Sequence, residues 1–314
     1  MNNIILTLKL INNIGNGTIL KITKDMEYVP NDEKELYQLI CERADKDKKI
    51  KIPTLEEIKN ASFNANNIIF KSEEQNIRYV DILDESFPKR LKEISSAPTI
   101  LFYKGDYNCL IDNESIAIVG TRNPTKHGEK IAHRLGYLFA EQGYVINSGL
   151  ALGCDKYAHQ GCLDADGRTV AVLGTPLDKI NPSQNEKLAD AILAKNGCLI
   201  TENYIGEKTS RYSFVNRNRI QSGLSLGTII VETDINGGTM ETAKFTLNQG
   251  KILAVYSHPD KYSNEKVTSG NQSLMQNSEI ISISNKNDIE KFKYYIKELK
   301  NIEKTSSQIG FNNL

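Results

Sequence analysis

Four segments of this chain combine residue types suited to holding phosphate. Gly120-Thr121-Arg122-Asn123-Pro124-Thr125 joins a glycine turn, two hydroxyls and an arginine, and His127 and Gly128 then open a helical pattern. Backbone N–H groups at such a turn and the positive end of the helix behind it both favour an anion. Ser148-Gly149-Leu150-Ala151-Leu152-Gly153-Cys154-Asp155 puts two glycines around a second strand-to-helix junction. Asn236-Gly237-Gly238-Thr239-Met240-Glu241 opens another helix in the same way. Between Ile205 and Arg219 stand four cations, Lys208, Arg211, Arg217 and Arg219, against one anion, with Tyr212 and Phe214 among them. Cations that neutralise phosphates beside rings that stack bases suit single-stranded nucleic acid.

The same spacings argue against other chemistries. The first turn is not GxGxxG, and no GK[ST] follows it, so it is neither a dinucleotide fingerprint nor a Walker loop. The second strand ends in Asn147-Ser148, without the acid that would grip an NAD ribose. Asp155 and His159 stand one helical turn apart like an acid–base pair. No nucleophile is placed with them, so capping and packing is their expected role. His127 is expected at the surface of a helix start, and Glu241 as a charge favoured by a helix dipole. Five cysteines, at 41, 109, 154, 162 and 198, include no CxxC pair and are expected to be reduced packing residues. No catalytic residue, metal site or cofactor is expected.

The elements that must position these residues alternate from Ser115 onward. Candidate strands are 115–119, 144–148, 169–173, 198–201, 227–231 and 252–256. Helical patterns at about 126–142, 153–166, 184–195, 214–223 and 239–249 lie between them. Short apolar strands separated by such helices predict an α/β fold, a parallel sheet with helices on both faces. Ligands of such sheets bind at the carboxyl ends of the strands, where the phosphate-like segments fall. The turn-rich stretch from Gly174 to Asn185 reads as loop as readily as site. Ahead of this core, two apolar helices flank Asn12-Asn13-Ile14-Gly15-Asn16-Gly17. A further helix is predicted over Glu33–Ala44, and another from Thr54, whose spacing to Glu57 makes a capping box. Residues 77–112, with prolines at 88 and 98, read as a connecting arm with strand-like stretches. The division is therefore a helical domain over 1–75, a Rossmann-like domain with its arm over 76–284, and a C-terminal helix (about 288–300) and tail over 285–314.

Composition sets the outer bounds. The 314 residues carry 39 Lys+Arg and 39 Asp+Glu, so any basic surface must be local rather than general. No apolar run reaches membrane-spanning length, and no signal-peptide pattern opens the chain, so a cytoplasmic protein without membrane attachment is expected.

Taken in order, these motifs resemble the DprA/Smf family, the DNA-processing protein A of bacteria. The resemblance runs through Ile14-Gly15-Asn16-Gly17, Phe87-Pro88 and Leu101-Phe102-Tyr103-Lys104-Gly105-Asp106, then IAIVGTRNPT, SGLALGCDKYAH, TVAVLGTPLD and FVNRNRIQSGLS. It implies a sterile-alpha-motif-like helical domain before an extended Rossmann core. It also implies a homodimer that binds single-stranded DNA and helps load the RecA recombinase in recombination or natural transformation. By motif, Gly120, Thr121 and Arg122 would hold a phosphate, with Ser148 and Gly149 lining the same pocket. Arg211, Phe214, Arg217 and Arg219 would contact the strand, Phe214 by stacking. The 30 residues after the core are fewer than the winged-helix-like domain that commonly ends family members would need. Gly237-Gly238-Thr239 with Glu241 is also similar to the glycine-rich loop of LOG-type phosphoribohydrolases. A nucleotide-binding enzyme or nucleotide-signal sensor of that superfold is thus the alternative.

Overall fold

The computed structural model describes residues 3–26, 28–111, 114–263 and 265–311. The end of the arm at Asp112 and the polar end after Phe311 fall outside the described residues. The chain opens with helices α1 (Ile4–Leu10), α2 (Asn16–Thr23), α3 (Glu33–Lys46) and α4 (Leu55–Glu73). Local chemistry fixes their starts. The Asp32 carboxylate accepts from the N–H groups of Lys34 and Glu35 ahead of α3. Thr54 and Glu57 close the capping box of α4, each satisfying the other's backbone N–H. The helices pack through Ile5, Leu8, Ile19, Leu36, Ile40 and Ile58. That core continues without a break into Phe102, Leu173, Leu188 and Ile192, so the helical unit is seated on the sheet.

The rest of the chain builds one sheet of nine strands in the order β1-β2-β6-β5-β4-β3-β7-β8-β9. Helix α5 (Lys89–Glu93) lies between β1 (Arg78–Asp81) and β2 (Ile100–Gly105). After them, β3 (Ser115–Val119), α6 (Lys126–Glu141), β4 (Val145–Ser148), α7 (Cys154–Asp164), β5 (Thr169–Val172), α8 (Glu186–Ala194) and β6 (Cys198–Thr201) alternate regularly. Helix α9 (Arg211–Leu224) crosses to β7 (Gly227–Ile230), followed by α10 (Thr239–Asn248) and β8 (Ile252–Tyr256). Helices α11 (Asp260–Ser263) and α12 (Ser269–Met275) precede β9 (Ile281–Ile283) and the long α13 (Lys286–Phe311).

Strands β3 to β9 are parallel, the first six as the apolar runs predict, because helices cover both of their faces. The arm departs from its reading as a connector. Its strands join the sheet antiparallel, β1 on β2 and β2 on β6, so the sheet is mixed. The hydrogen-bonding groups of β6 are thereby paired rather than left as a free edge. Alternate side chains of the strands face the two layers. Ile116, Ile118 and Ile146 pack with α6, α7 and α13. Val145, Val170, Val172 and Ile200 pack with α5 and α9 on the other side, where Val119, Ile230 and Val255 meet α10 and α12. The chain steps outward from β3 through β6, then returns to lay β7 on the opposite side of β3. This reversal opens a crevice at the carboxyl ends of β3 and β7. Among the described residues, no helix is long and apolar enough to cross a membrane.

Candidate nucleic-acid interface

A cleft of about 310 Å³ occupies that crevice. Gly120, Thr121 and Arg122 line it from the end of β3, Phe214 and Arg217 from α9, and Gly237, Gly238 and Thr239 from the start of α10. Beside it, a smaller cleft of about 80 Å³ shares Arg122, Phe214 and Arg217 and adds Gly149 and Gly174. All four segments singled out by residue type thus meet at one place, the second lining the main cleft through Ala151 and Asp155 and the smaller one through Gly149.

Close approach explains two of the glycines. A Cβ on Gly120 would sit 2.7 Å from the Cys154 Cβ and 2.9 Å from the Glu232 carbonyl oxygen, where α7 and β7 converge on the turn. A Cβ on Gly149 would run into the Arg217 guanidinium. The turn is pinned from both sides. Thr121 N–H donates to the Glu232 carbonyl at 2.7 Å, and Cys154 N–H donates to the Thr121 carbonyl at 3.1 Å.

The helix end behind this turn differs from expectation. It is not open to a phosphate, because the protein supplies its own anion there. The Glu232 carboxylate, fully buried, accepts from Thr125 N–H at 2.8 Å and from the Thr125 hydroxyl at 2.6 Å. Thr125 Oγ1 in turn caps Gly128 N–H at 3.0 Å. Burial pushes the Glu232 carboxyl above its ordinary value, and the bonds from Thr125 act against that shift. His258 faces it with Nδ1 at 3.7 Å from Oε1, while His258 Nε2 donates to the Val231 carbonyl at 2.8 Å. Burial lowers the His258 pKa. Sequence reasoning missed Glu232, although a carboxylate ending an apolar strand was a signal for a buried charge with a dedicated partner.

Helix α9 sorts its residues by face. Arg211 and Tyr212 are exposed at its start, and Arg211 lines neither cleft. Phe214 is partly buried, and the Arg122 guanidinium lies over its ring at 5.6 Å from the centroid. Arg217 is 5% exposed, donates through Nη1 to the Val172 carbonyl and leaves Nε without an acceptor. Gln221, one turn on, lines the same cleft and leaves Nε2 without an acceptor. Burial lowers the Arg217 pKa to about 10, with the Asp155 carboxylate opposing the shift and Arg122 adding to it. The guanidinium stays charged at neutral pH.

Besides Arg211, two further members of the expected set stand outside the clefts. Arg219 does not reach the cleft. Its guanidinium is 2% exposed and grips Glu202 through both arms, Nη1 to Oε1 at 3.0 Å and Nη2 to Oε2 at 2.7 Å. The two arginines are two positions apart, which turns their side chains to different sides of the helix. Asn16 of α2 also donates to Glu202, at 3.4 Å, so this pair helps seat the helical unit. Ser148 is fully buried and donates to the Ile118 carbonyl at 2.7 Å, tying β4 to β3 rather than lining the pocket.

Asp155 and His159 take the packing role expected of them. The Asp155 carboxylate, buried at the cleft floor, accepts from Gly149 N–H at 3.0 Å. His159 accepts from Leu150 N–H at Nε2, 3.3 Å away, and its Nδ1 lies 2.7 Å from Thr169 Oγ1. The Thr169 hydroxyl proton is directed to the Ile146 carbonyl at 2.6 Å, so His159 Nδ1 carries the proton and donates. Burial, with a smaller contribution from Arg217, lowers the His159 pKa to about 3, and the ring is a neutral brace under the turn. That brace holds Leu150 at φ 54. His127 stacks on Tyr262 with ring centroids 4.6 Å apart. Among the described residues, no group of three His, Cys, Asp or Glu could hold a metal ion.

The family model described as DNA recombination-mediator protein A matches residues 78–293, which hold the whole sheet and both clefts. The chain belongs to that family. It is 39% identical over 215 residues to protein Smf of Synechocystis, covering 66% of this chain and 53% of that protein. It is 39% identical over 183 residues to DNA processing protein DprA of Bacillus subtilis, covering 58% of this chain and 61% of the relative. The matched part thus spans between half and two thirds of these relatives. Among solved structures, DNA processing protein A of Streptococcus pneumoniae superposes with a TM-score of 0.75 at 27% identity, over 92% of this chain and 96% of that one. The Helicobacter pylori protein, whose structure is described as giving a single-stranded DNA binding mode, superposes with a TM-score of 0.59 at 28% identity. That match covers 71% of this chain and 95% of the other.

Glu241 does not line the cleft, and its carboxylate pairs with Lys244 at 2.6 Å on the helix surface. Gly237, Gly238 and Thr239 line the cleft at the start of α10, where Gly237 N–H donates to the Asp234 carbonyl at 2.8 Å. The lining sets Arg122 and Arg217 beside Asp155 and Asp234, with Phe214 as its one aromatic ring.

Proposed function

We propose that this recombination-mediator family member binds single-stranded DNA at the switch-point cleft, without catalysing a reaction. One observation carries the reading. Two buried donors, Arg217 Nε and Gln221 Nε2, meet no acceptor among the described residues at the floor of a cleft whose mouth holds Arg122 over Phe214. Unpaired buried donors are costly, and a phosphate oxygen satisfies them. The Arg122 side chain and the Gly238–Thr239 start of α10 supply further donors, Phe214 a face for a base, and exposed Arg211 a cation along the strand's exit. A backbone-gripping site of this kind has no readout of base edges, so sequence preference is weak. The relatives named DNA processing proteins, and the Helicobacter pylori structure described as giving a single-stranded DNA binding mode, support the same ligand. In the full reading the protein acts in the cytoplasm as a homodimer. It protects incoming or processed strands and helps load the RecA recombinase during recombination or transformation.

The test is binding of oligo-dT, a duplex of equal length and a panel of nucleotides across a salt series. Oligo-dT should bind more tightly than duplex, with affinity falling steeply as salt rises, because phosphate neutralisation releases counterions. Equal binding of duplex, or none of oligo-dT at low salt, ends the reading. Release of free base from a nucleoside monophosphate would move the assignment to the enzyme alternative.

A further inference from the structure

The loop that carries Arg122 is held at both ends by one residue. Thr121 N–H donates to the Glu232 carbonyl, and Thr125, through its N–H and its hydroxyl, donates to the Glu232 carboxyl oxygens. Gly128 makes room for that group, because a Cβ there would run into the Glu232 carboxyl carbon. A displacement of the Glu232 side chain is therefore passed to the loop between its two anchors.

His258 stands behind Glu232 and poses a proton problem. Its Nε2 donates to the Val231 carbonyl, so Nδ1 of a neutral ring carries a lone pair. That nitrogen is buried, has no hydrogen-bond partner among the described residues and lies 3.7 Å from Glu232 Oε1. With no proton between them, two acceptors face each other out of water and the pair bears a negative charge. With two protons it bears a positive one. A single proton makes the pair neutral as a unit and turns repulsion into attraction, and burial favours that state over both others. Burial also shifts the two groups toward each other, the carboxyl up and the imidazole down, as a proton held in common requires. We propose that Glu232 and His258 hold one proton between Oε1 and Nδ1 at neutral pH, and that this proton positions the Arg122 loop for strand binding. The positioning role rests on the strand-binding reading; the shared proton does not.

The surrounding groups leave the pair a pH window of its own. From α6, His127 packs edge-on to the His258 ring at 5.6 Å between centroids. Burial and the His258 charge lower its pKa, so it titrates on the acid side. Tyr256 of β8 packs edge-on to His258 at 4.8 Å, and Cys154 of α7 abuts the Gly120 turn. Burial raises the pKa of both, so they titrate on the alkaline side. From α11, Tyr262 stacks on His127 and Lys261 adds a positive charge beside it, while Glu265 adds a negative one beside Glu232. When the proton leaves, Nδ1 and Oε1 repel, and a buried negative charge stands behind a loop that must hold phosphate. The unfolded chain gives up its histidine proton near pH 6.5, at roughly the ordinary value. A native pair that keeps its proton to higher pH therefore loses stability as pH rises from there through its own transition.

Three measurements on the full chain test this over about pH 6 to 9. In ¹⁵N-labelled protein, the His258 Nδ1 resonance should lie away from that of a bare imine nitrogen at neutral pH. It should move there in one alkaline transition, which belongs to the pair. Urea midpoints of the wild type should fall through the same transition. Glu232→Gln keeps the bond from Thr125 N–H, offers an N–H to His258 Nδ1 and has no proton to lose, so its midpoint should stay level. Wild-type affinity for oligo-dT at fixed salt should drop several-fold across the transition, while that of Glu232→Gln should vary by less than about twofold. A bare Nδ1 at every pH overturns the proposal, as does a Glu232→Gln profile that falls like the wild type's. A transition in the spectra that strand affinity ignores overturns the positioning role. If Glu232→Gln does not fold, the wild-type spectra and affinities decide. Absence of oligo-dT binding at every pH overturns the strand-binding reading, and the spectra and midpoints still test the proton.

Discussion

Arg217 and Arg219 occupy one helix, lie almost wholly out of solvent and face two different parts of the molecule. Arg219 meets a dedicated carboxylate, Glu202, and both of its arms are satisfied. Arg217 lies on the cleft, where Asp155 supplies a nearby negative charge but Nε has no acceptor. The first arrangement is complete within the chain. The second leaves donor capacity that a ligand can use. Burial alone therefore does not separate a structural arginine from a binding one; the state of its partners does.

Removing each arginine breaks this comparison most sharply. Arg219→Ala leaves the Glu202 carboxylate buried and uncompensated, which costs about 3–5 kcal/mol of stability. Urea denaturation should show that loss, and pairing Arg219→Met with Glu202→Leu should recover much of it, because no lone charge remains. Folded Arg219→Ala should still bind oligo-dT. Arg217→Gln should reverse the order, with a smaller loss of stability and about 1.5–3 kcal/mol lost from strand binding, the range for a hydrogen bond to a charged group. Equal effects of the two substitutions on binding would erase the distinction.

This contrast also marks what could be read from the sequence. Strands β3, β6 and β8 were legible at their observed bounds, because fully covered strands are short apolar runs. The capping box at Thr54 and Glu57 was legible because it closes within four residues. The membership of β1 and β2 in the sheet was not, since pairing with β6 is a long-range event without a local pattern. Strand β9 is three residues long with Ser282 exposed, too short to show a period. The turns that form the cleft were legible as residue types in the right order. The anion that occupies the α6 N-terminus was hidden, because Glu232 lies 107 residues from Thr125. Arg219 was misplaced for the same reason: a run of cations predicts a charged face, and only the fold reveals that Glu202 takes one of them.

Phe214 sharpens the cleft side of the comparison. Its ring lies under Arg122 and borders both clefts. Phe214→Ala should weaken oligo-dT binding by about 1–3 kcal/mol, the range for one base–aromatic stack. The salt slope should stay almost unchanged, since no charge is removed. The ring is partly buried, so a denaturation curve is needed to separate a lost stack from an opened cavity. A folded Phe214→Ala that binds as wild type would assign the ring to packing.

The smallest expected change is the most specific. Arg122 stands at the cleft mouth, and its guanidinium lies over the Phe214 face, with no carboxylate paired to it among the described residues. In the proposed reading, a guanidinium placed in this way takes a phosphate of the bound strand. Arg122→Ala removes one such contact, so the plot of log affinity against log salt should flatten by roughly one counterion. The loss of affinity should be largest at low salt and should shrink as salt rises, the opposite of the salt-independent loss for Phe214→Ala. Arg219→Ala offers the matching control, because its charge is already neutralised inside the protein and its removal should leave the slope alone. If Arg122→Ala and wild type give parallel lines, Arg122 touches no phosphate, and the strand's path runs instead past Arg211.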